Sequence, residues 1–164
     1  MRIVVVGGSA SNVGKTALAA HLLLGEPAAA KVAMKVSVRE RACELRVVVL
    51  TAGTSVEHRQ DCERLLAAGA THVVWVTVQR PSVRTGLAAG LRRVRALRPQ
   101  VVVIESTSAG IELTRPDDSW FVAGAGEWKP WADRHRVRAH RVVTTDDVFR
   151  LINDQAAYVG AKTS

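Results

Sequence analysis

Cysteine is nearly absent from this sequence, with only two among 164 residues. Cys43 and Cys62 are too few for a disulfide framework, and their spacing does not suit a zinc site. No apolar run approaches the roughly eighteen residues of a membrane-spanning helix. The first apolar run, Ile3 to Val6, is interrupted by Gly7 and Gly8, unlike the core of a signal peptide. We therefore expect a reduced, soluble and cytoplasmic protein that forms a single domain over residues 1–164, with no membrane partner.

Aromatic residues are also scarce, at 4%, whereas basic residues give a formal charge of +8 and a pI near 10.5. Such a charge can attract nucleic acid, an anionic membrane or a phosphorylated substrate. The basic residues concentrate in Arg80–Arg98 and Arg134–Arg141. Neither segment contains the interleaved aromatic residues on which single-stranded nucleic acid stacks. We do not expect a nucleic-acid partner, and a solvated basic surface accounts for most of the charge.

Short apolar runs rich in Val and Ile alternate along the chain with longer helical patterns. Several runs are apolar at every position, which is typical of parallel strands covered by helices on both faces. The alternation predicts an α/β fold: one open, mostly parallel sheet of about seven strands flanked by helices. Strands are expected at Ile3–Val6, Lys31–Val38, Val47–Thr51, His72–Val78, Val101–Ile104, Trp120–Val122 and His140–Val143. Helices are expected at Lys15–Leu24, Glu57–Ala68, Thr85–Leu97 and Thr145–Tyr158, the last capped by Thr144 or Thr145.

A loop of small residues joins the first strand to the first helix and ends in Gly14-Lys15-Thr16. Small residues let successive backbone N–H groups surround a polyphosphate, and the helix N-terminus favours its charge. In a P-loop, Lys15 would contact the β- and γ-phosphates and the Thr16 hydroxyl would bind Mg²⁺. Gly8 and Gly14 enclose five residues instead of the usual four, so Ser9 holds the usual first position. The predicted phosphate-binding residues are Gly8, Ser9, Ala10, Ser11, Asn12, Val13, Gly14, Lys15, Thr16 and Ala17, and the predicted ligand is ATP or GTP with Mg²⁺.

Glu105 directly follows the buried run Val101–Ile104. The carboxyl end of such a strand is where a second anchor for hydrated Mg²⁺ is expected in an α/β nucleotide site. A carboxylate next to a buried strand needs a metal ion or a cation as partner, and a helix cap or an arginine salt bridge are the alternatives. The catalytic candidates are thus Lys15 and Glu105, and the metal candidates are Thr16 and Glu105.

The nucleotide base and a second substrate have weaker candidates. The Asn-Lys-x-Asp segment with which many GTPases recognise guanine is missing from the sequence, so ATP and GTP both stay open. Lys129 and Trp128 could sandwich a purine while Asp133 contacts its edge, although Trp128 and Trp131 could equally anchor a loop on the core. The second-substrate candidates are Lys35 and Asp61, which could equally be surface charges.

The enlarged loop Gly8–Thr16 resembles the loop of dethiobiotin synthetase and of the cobyrinic and cobyric acid amidating synthetases. All belong to the class of P-loop proteins that includes the nitrogenase iron protein. Ala10 stands where the iron-protein branch carries an additional signature lysine, which argues against that branch. The resemblance implies a nucleotide site with Mg²⁺ in this loop.

In length and order of elements the chain is similar to the molybdopterin-guanine dinucleotide biosynthesis protein B family. The similarity covers roughly Arg2 to Ser106, and outside the loop it is carried by Lys35, by Asp61 with the following Ala-Gly-Ala, and by Glu105. It implies a small GTP-binding protein that helps mature a molybdopterin-type cofactor and pairs as a homodimer. The family's histidine-rich stretch does not occur around Arg39–Glu44, which leaves that cofactor role open.

Three functions are compatible with these features. The first is an accessory protein that slowly hydrolyses nucleotide during cofactor assembly, which the short chain favours. The second is an ATP-dependent small-molecule kinase or a ligase similar to dethiobiotin synthetase. The third is a non-catalytic nucleotide-binding module, because the sequence contains no obvious water-positioning residue.

Overall fold

A seven-stranded sheet forms the centre of the protein in the computed structural model, which describes residues 1–54 and 60–162. The strand order is β3-β4-β2-β5-β1-β6-β7, and β3 pairs antiparallel with β4 while the other pairs are parallel. All seven predicted strands are present, so the predicted α/β fold is confirmed. The strands are β1 (Arg2–Gly8), β2 (Lys31–Arg39), β3 (Arg46–Leu50), β4 (His72–Gln79), β5 (Val101–Glu105), β6 (Asp118–Ala123) and β7 (Arg141–Thr144).

The helices cover both faces of this sheet, and none of those described is long and apolar enough to cross a membrane. They are α1 (Lys15–Gly25), α2 (Gln60–Ala67), α3 (Val83–Ala96), α4 (Thr107–Glu112), α5 (Ala132–Arg136) and α6 (Thr145–Lys162). The predicted start of the second helix at Glu57 lies outside the described residues. The third helix begins two residues earlier than predicted, after a 3₁₀ turn at Arg80–Ser82, and α6 continues beyond Tyr158. Sequence patterns did not predict α4 and α5.

Two hydrophobic cores lie on opposite faces of the sheet, and β1 contributes to both. Val4 and Val6 point into the core under α1 and α6, whereas Val5 points into the core under α3 and α4. Alternate residues of a strand face opposite sides, so a central strand covered by helices is apolar throughout. This is why the apolar run in β1 identified a buried strand.

The helix α6 begins with a reciprocal cap that sets its position beside the loop after β1. The Asp147 carboxylate accepts hydrogen bonds from the Thr144 backbone N–H at 2.9 Å and from the Thr144 hydroxyl at 2.7 Å. The Asp147 backbone N–H in turn donates to the Thr144 hydroxyl at 3.1 Å. These bonds satisfy backbone groups that the first helical turn leaves unpaired, and they make Thr144 the cap of the two predicted alternatives.

The parallel pairing brings the loops that follow β1, β2, β4, β5 and β6 to one edge of the sheet. Ligands of open α/β sheets bind at this carboxyl edge. The register also places Lys35 of β2 directly beside Glu105 of β5, with Val6 of β1 on the other side of Glu105. Lys35 lies within β2, which continues to Arg39.

His135 of α5 is a fully buried histidine on the face of the sheet covered by α4. Its Nε2 lies 3.0 Å from the Ser119 hydroxyl, and its ring meets Phe121 edge-on at 5.6 Å between centroids. Burial lowers the pKa of His135 from 6.5 to about 4. The imidazole is therefore neutral in the folded protein at neutral pH.

We expect this histidine to make the folded protein sensitive to mild acid. The unfolded chain binds a proton near pH 6.5 and the folded protein only near pH 4, so stability is complete above pH 6.5 and falls as the pH drops towards 4. At the acid end of this range, near pH 4, the loss of stability due to His135 amounts to about 3 kcal/mol. Urea unfolding of the wild type and of His135→Gln at pH 7.0 and 4.5 measures it. The variant should lose less stability on acidification, and equal losses in both proteins would disprove the assignment.

Candidate functional site

The loop between β1 and α1 has backbone angles that ordinary residues rarely adopt. Asn12 has φ of 58° and Gly14 has φ of 98°, so the chain turns sharply before Lys15 begins the helix. A residue with a Cβ atom is strained at the Gly14 angle, which explains why glycine precedes the lysine. The loop thus directs the first turn of α1 towards the carboxyl edge of the sheet.

Ser9 fixes the base of this loop to the neighbouring chain. Its N–H donates to the Val122 carbonyl at 2.9 Å, and its side-chain oxygen accepts from the Gly124 N–H at 2.9 Å. The Ser9 carbonyl accepts from the Lys129 N–H, also at 2.9 Å. Ser9 is completely buried, so it holds the loop against the segment after β6.

Lys15 folds back over the loop. Its ammonium group donates a hydrogen bond to the Ala10 carbonyl, which lies five residues earlier. Burial lowers the pKa of Lys15 to about 8, with the positive charge of Lys129 as the next cause and Glu105 acting in the opposite direction. An anion in the loop would relieve this cost, because it favours the charged form of the lysine.

Glu105 joins the loop to the centre of the sheet. The Thr16 hydroxyl donates to its carboxylate at 2.9 Å. The Lys35 ammonium group donates to both Glu105 oxygens at 3.0 Å and to Asp61 at 2.8 Å. Four residues that are distant in sequence thus form one polar network, which we call the carboxylate cluster: Thr16, Lys35, Asp61 and Glu105.

Charges within the carboxylate cluster stabilise one another. Burial alone lowers the pKa of Lys35, but Glu105 and Asp61 together raise it above the ordinary value. Burial alone raises the pKa of Asp61, but its hydrogen bond and charge interaction with Lys35 lower it overall. The Glu105 side chain is only 6% exposed and the Lys35 side chain 16%. Lys35 is therefore the cation that an almost buried Glu105 requires.

The donor atoms at Thr16 and Glu105 suit a magnesium ion. Hydroxyl and carboxylate oxygens are the ligands that Mg²⁺ prefers, and it commonly uses one or two protein groups together with phosphate oxygens and water. No group of three or more His, Cys, Asp or Glu side chains in residues 1–54 and 60–162 could hold a metal unaided. Lys35 already contacts both Glu105 oxygens. Thr16 is thus the better direct ligand, and Glu105 is suited to accept hydrogen bonds from metal-bound water.

Two adjoining cavities open at this edge of the sheet. The larger, of about 490 Å³, runs along the loop from Asn12 and Gly14 to the carboxylate cluster. The smaller, of about 270 Å³, lies beside Ser108 of α4. The larger volume is in the usual range for a small-molecule site. The residues shared by the two cavity walls are Ser11, Lys15, Val36, Val38, Glu105 and Lys129.

Both cavities include residues that are not among the site residues predicted from the sequence. Phe149 of α6 lines the larger one although its side chain is 55% exposed, and Arg64 of α2 lies on the same wall. Arg80 and Trp131 line the smaller one. An aromatic residue at helical spacing from other apolar residues usually belongs to the core. Phe149 is therefore recognised as a cavity residue only from its exposure in the structure.

The three candidates for base contact have separate surroundings. The Trp128 indole donates to the Gly124 carbonyl at 3.2 Å and packs on Phe121 with ring centroids 5.5 Å apart. Asp133 is exposed and pairs with Arg136 at 2.6 Å. Lys129 lines both cavities, whereas Trp128 and Asp133 line neither. Base contact by these residues stays a prediction, and the geometry agrees with the alternative that Trp128 anchors the loop.

The parallel strands, the loop after β1 and the helices on both faces form an open α/β fold whose carboxyl edge carries the candidate site. Among solved structures the chain is similar to LpxK from Aquifex aeolicus in complex with ATP. The TM-score is 0.56 at 15% identity, and the match covers 88% of this chain and 48% of that chain. The chain thus spans about half the length of that protein. No protein family matches the sequence, and no curated protein matches it either.

Proposed function

We propose that this protein binds ATP or GTP with Mg²⁺ in the loop Gly8–Thr16 and hydrolyses it slowly as an accessory protein in the biosynthesis of a molybdopterin-type cofactor. The observation that carries the proposal is the hydrogen bond from Thr16 to Glu105 at the carboxyl edge of the sheet, with Lys15 on the wall of the same cavity. LpxK, which has a similar fold, was solved in complex with ATP. The resemblance to the molybdopterin-guanine dinucleotide family supplies the cofactor role and the expected homodimer.

The triphosphate would lie along the loop, with its terminal phosphate towards the wall that the two cavities share. Lys15 is one of the two lysines on that wall, and burial destabilises its charged form, so an anionic partner would stabilise it. Thr16 supplies a hydroxyl for Mg²⁺, which neutralises charge on the phosphate oxygens when bound. Glu105 would orient Thr16 and the water around the ion, while Lys35 would hold the Glu105 carboxylate in place through its hydrogen bonds.

The nucleoside would lie at the other end of the larger cavity, next to Phe149. Thr145 donates to the Val13 carbonyl at 3.1 Å, so α6 is attached directly to the loop. Phe149 lines the same cavity as Gly14 and Ala17, which are both small residues. A purine can stack on any exposed aromatic face, which explains an otherwise unfavourable exposed phenylalanine.

An ATP-dependent small-molecule kinase or ligase is the second candidate. The observation that favours it is the smaller cavity of about 270 Å³ on the far side of Lys15 and Glu105. A hydrolase needs room for only a water molecule at that point, whereas a transferase needs room for a second substrate.

The role of Glu105 is tested by the magnesium dependence of phosphate release. Glu105→Gln should lower nucleotide turnover or raise the Mg²⁺ concentration needed for half-maximal rate by about 10- to 100-fold, as loss of groups that orient metal ligands commonly does. Phosphate release is followed over a Mg²⁺ titration with ATP and then GTP. Glu112→Gln at the end of α4 is the control, since it pairs with Arg84 and lines neither cavity. An unchanged magnesium curve in Glu105→Gln would contradict the assigned role.

A further inference from the structure

We propose that the smaller cavity binds a small molecule carrying a phosphate or carboxylate group, held by Arg80 and Lys129 beside the terminal phosphate of the nucleotide. The inference rests on the proposed function for its nucleotide, and it names the chemical class of a second ligand. It starts from the charges on the cavity wall. Arg80, Lys129 and Lys15 all line this space, so three cations converge there.

Arg80 is held in a fixed orientation by Trp131. The centre of its guanidinium group lies 3.4 Å from the centroid of the indole ring, and the short turn Arg80–Ser82 sets its backbone at the end of β4. Stacking on a ring leaves the edges of the guanidinium group available for hydrogen bonds. The planar edge of arginine matches phosphate and carboxylate groups with two parallel hydrogen bonds.

Lys129 approaches the same space from the segment after β6. Its backbone N–H is bonded to the Ser9 carbonyl, so its position is tied to the phosphate loop. Burial lowers the pKa of Lys129, and the nearby charge of Arg80 lowers it further. No hydrogen bond or ion pair links its ammonium group to another residue in the described part of the chain. An anion between Arg80 and Lys129 would relieve their repulsion.

Two acidic residues, Glu40 and Glu105, line the smaller cavity, and each already has a partner. Glu105 is engaged by Lys35 and Thr16 within the carboxylate cluster. Glu40 is 86% exposed and lies 3.6 Å from an Arg80 nitrogen, a loose contact that solvent screens strongly. Glu40 is therefore a weak competitor for Arg80 and would be displaced by a bound anion. The hydroxyls of Ser108 and Ser11 offer further hydrogen bonds.

A two-step titration tests this inference. The protein is first saturated with Mg²⁺ and a non-hydrolysable ATP or GTP analogue, which occupies the phosphate loop, and is then titrated with inorganic phosphate or with malonate by calorimetry. One further anion should bind. Arg80→Gln and Lys129→Gln should each weaken its binding about tenfold or more, because each removes a charge-assisted hydrogen bond. The preference for phosphate or malonate identifies the group that the ligand carries.

Two further variants separate this site from a general effect of surface charge. Arg84→Gln removes an arginine of α3 that pairs with Glu112 and lines neither cavity, so anion binding should not change. Glu40→Gln frees Arg80 and should strengthen anion binding severalfold, a result that damage to the fold does not produce. The inference is overturned if the loaded protein binds neither anion, or if Arg80→Gln and Lys129→Gln bind as well as wild type. Failure of the nucleotide analogue to bind in the first step would overturn the proposed function itself and this inference with it.

Discussion

Replacing Lys15 with alanine should remove nearly all of the thermal stabilisation that nucleotide and Mg²⁺ give to the wild-type protein. A ligand at 100 times its dissociation constant adds about 2.7 kcal/mol to the stability of the protein that binds it. For a chain of this size that is a rise of roughly 5–10 °C in the unfolding temperature. Lys15 is the buried cation of the loop, so its loss removes the main charge facing the phosphates. Thermal unfolding with ATP, GTP and their non-hydrolysable analogues, each with and without Mg²⁺, measures the effect.

Two further variants make this measurement specific to the loop. Arg95→Ala removes an exposed charge of α3 and should keep the full shift. Phe149→Ala should weaken the shift with nucleotides but leave the response to pyrophosphate, because it removes only the surface next to the base. An equal shift in wild type and Lys15→Ala would contradict the proposed phosphate site, and a shift with GTP alone or ATP alone would identify the nucleotide.

The sheet could be predicted because its strands are buried on both faces. In β5 all five residues are buried, and four of them are Val or Ile, so the apolar run alone marks a covered strand. The short helices could not be predicted, because a short segment shows no clear pattern of buried residues. The α5 segment Ala132–Arg136 has five residues and only two buried ones, Ala132 and His135, which is too short to show a helical period.

The candidate site could be predicted only where its residues are neighbours in sequence. Gly14, Lys15 and Thr16 form a motif that is readable without a structure. Glu105 was found by its position after a buried strand, but its contact with Lys35 spans 70 residues and follows from the strand order and register. Arg80 begins one of the two basic segments of the sequence, but its place in a site could not be predicted, because that site exists only where β4 ends near Trp131.

Introducing a methyl group at Gly110 should destabilise the protein by about 3 kcal/mol, the upper end of the usual cost of overpacking a core. A Cβ atom there would lie 2.2 Å from three atoms of the His135 ring, which is itself completely buried. The ring would have to leave its contact with the Ser119 hydroxyl. Gly110→Ala is therefore expected to unfold at a clearly lower urea concentration than wild type. Gly25→Ala is the matched control, because its nearest atom is 3.7 Å away, an ordinary contact.

A double-mutant cycle identifies the origin of that cost. His135→Ala alone removes a well-packed ring, and Gly110→Ala alone forces a clash with it. If the clash is the cause, Gly110→Ala should cost less in the His135→Ala background than in wild type, with a coupling of about 1–3 kcal/mol. Additive costs would instead locate the strain in the backbone of α4.

The close packing of α4 on α5 matters for function, because α4 carries Ser108 on the wall of the smaller cavity and α5 begins just after Trp131. The Gly110–His135 contact thus joins α4, which contributes to the proposed anion site, to the helix that directly follows Trp131.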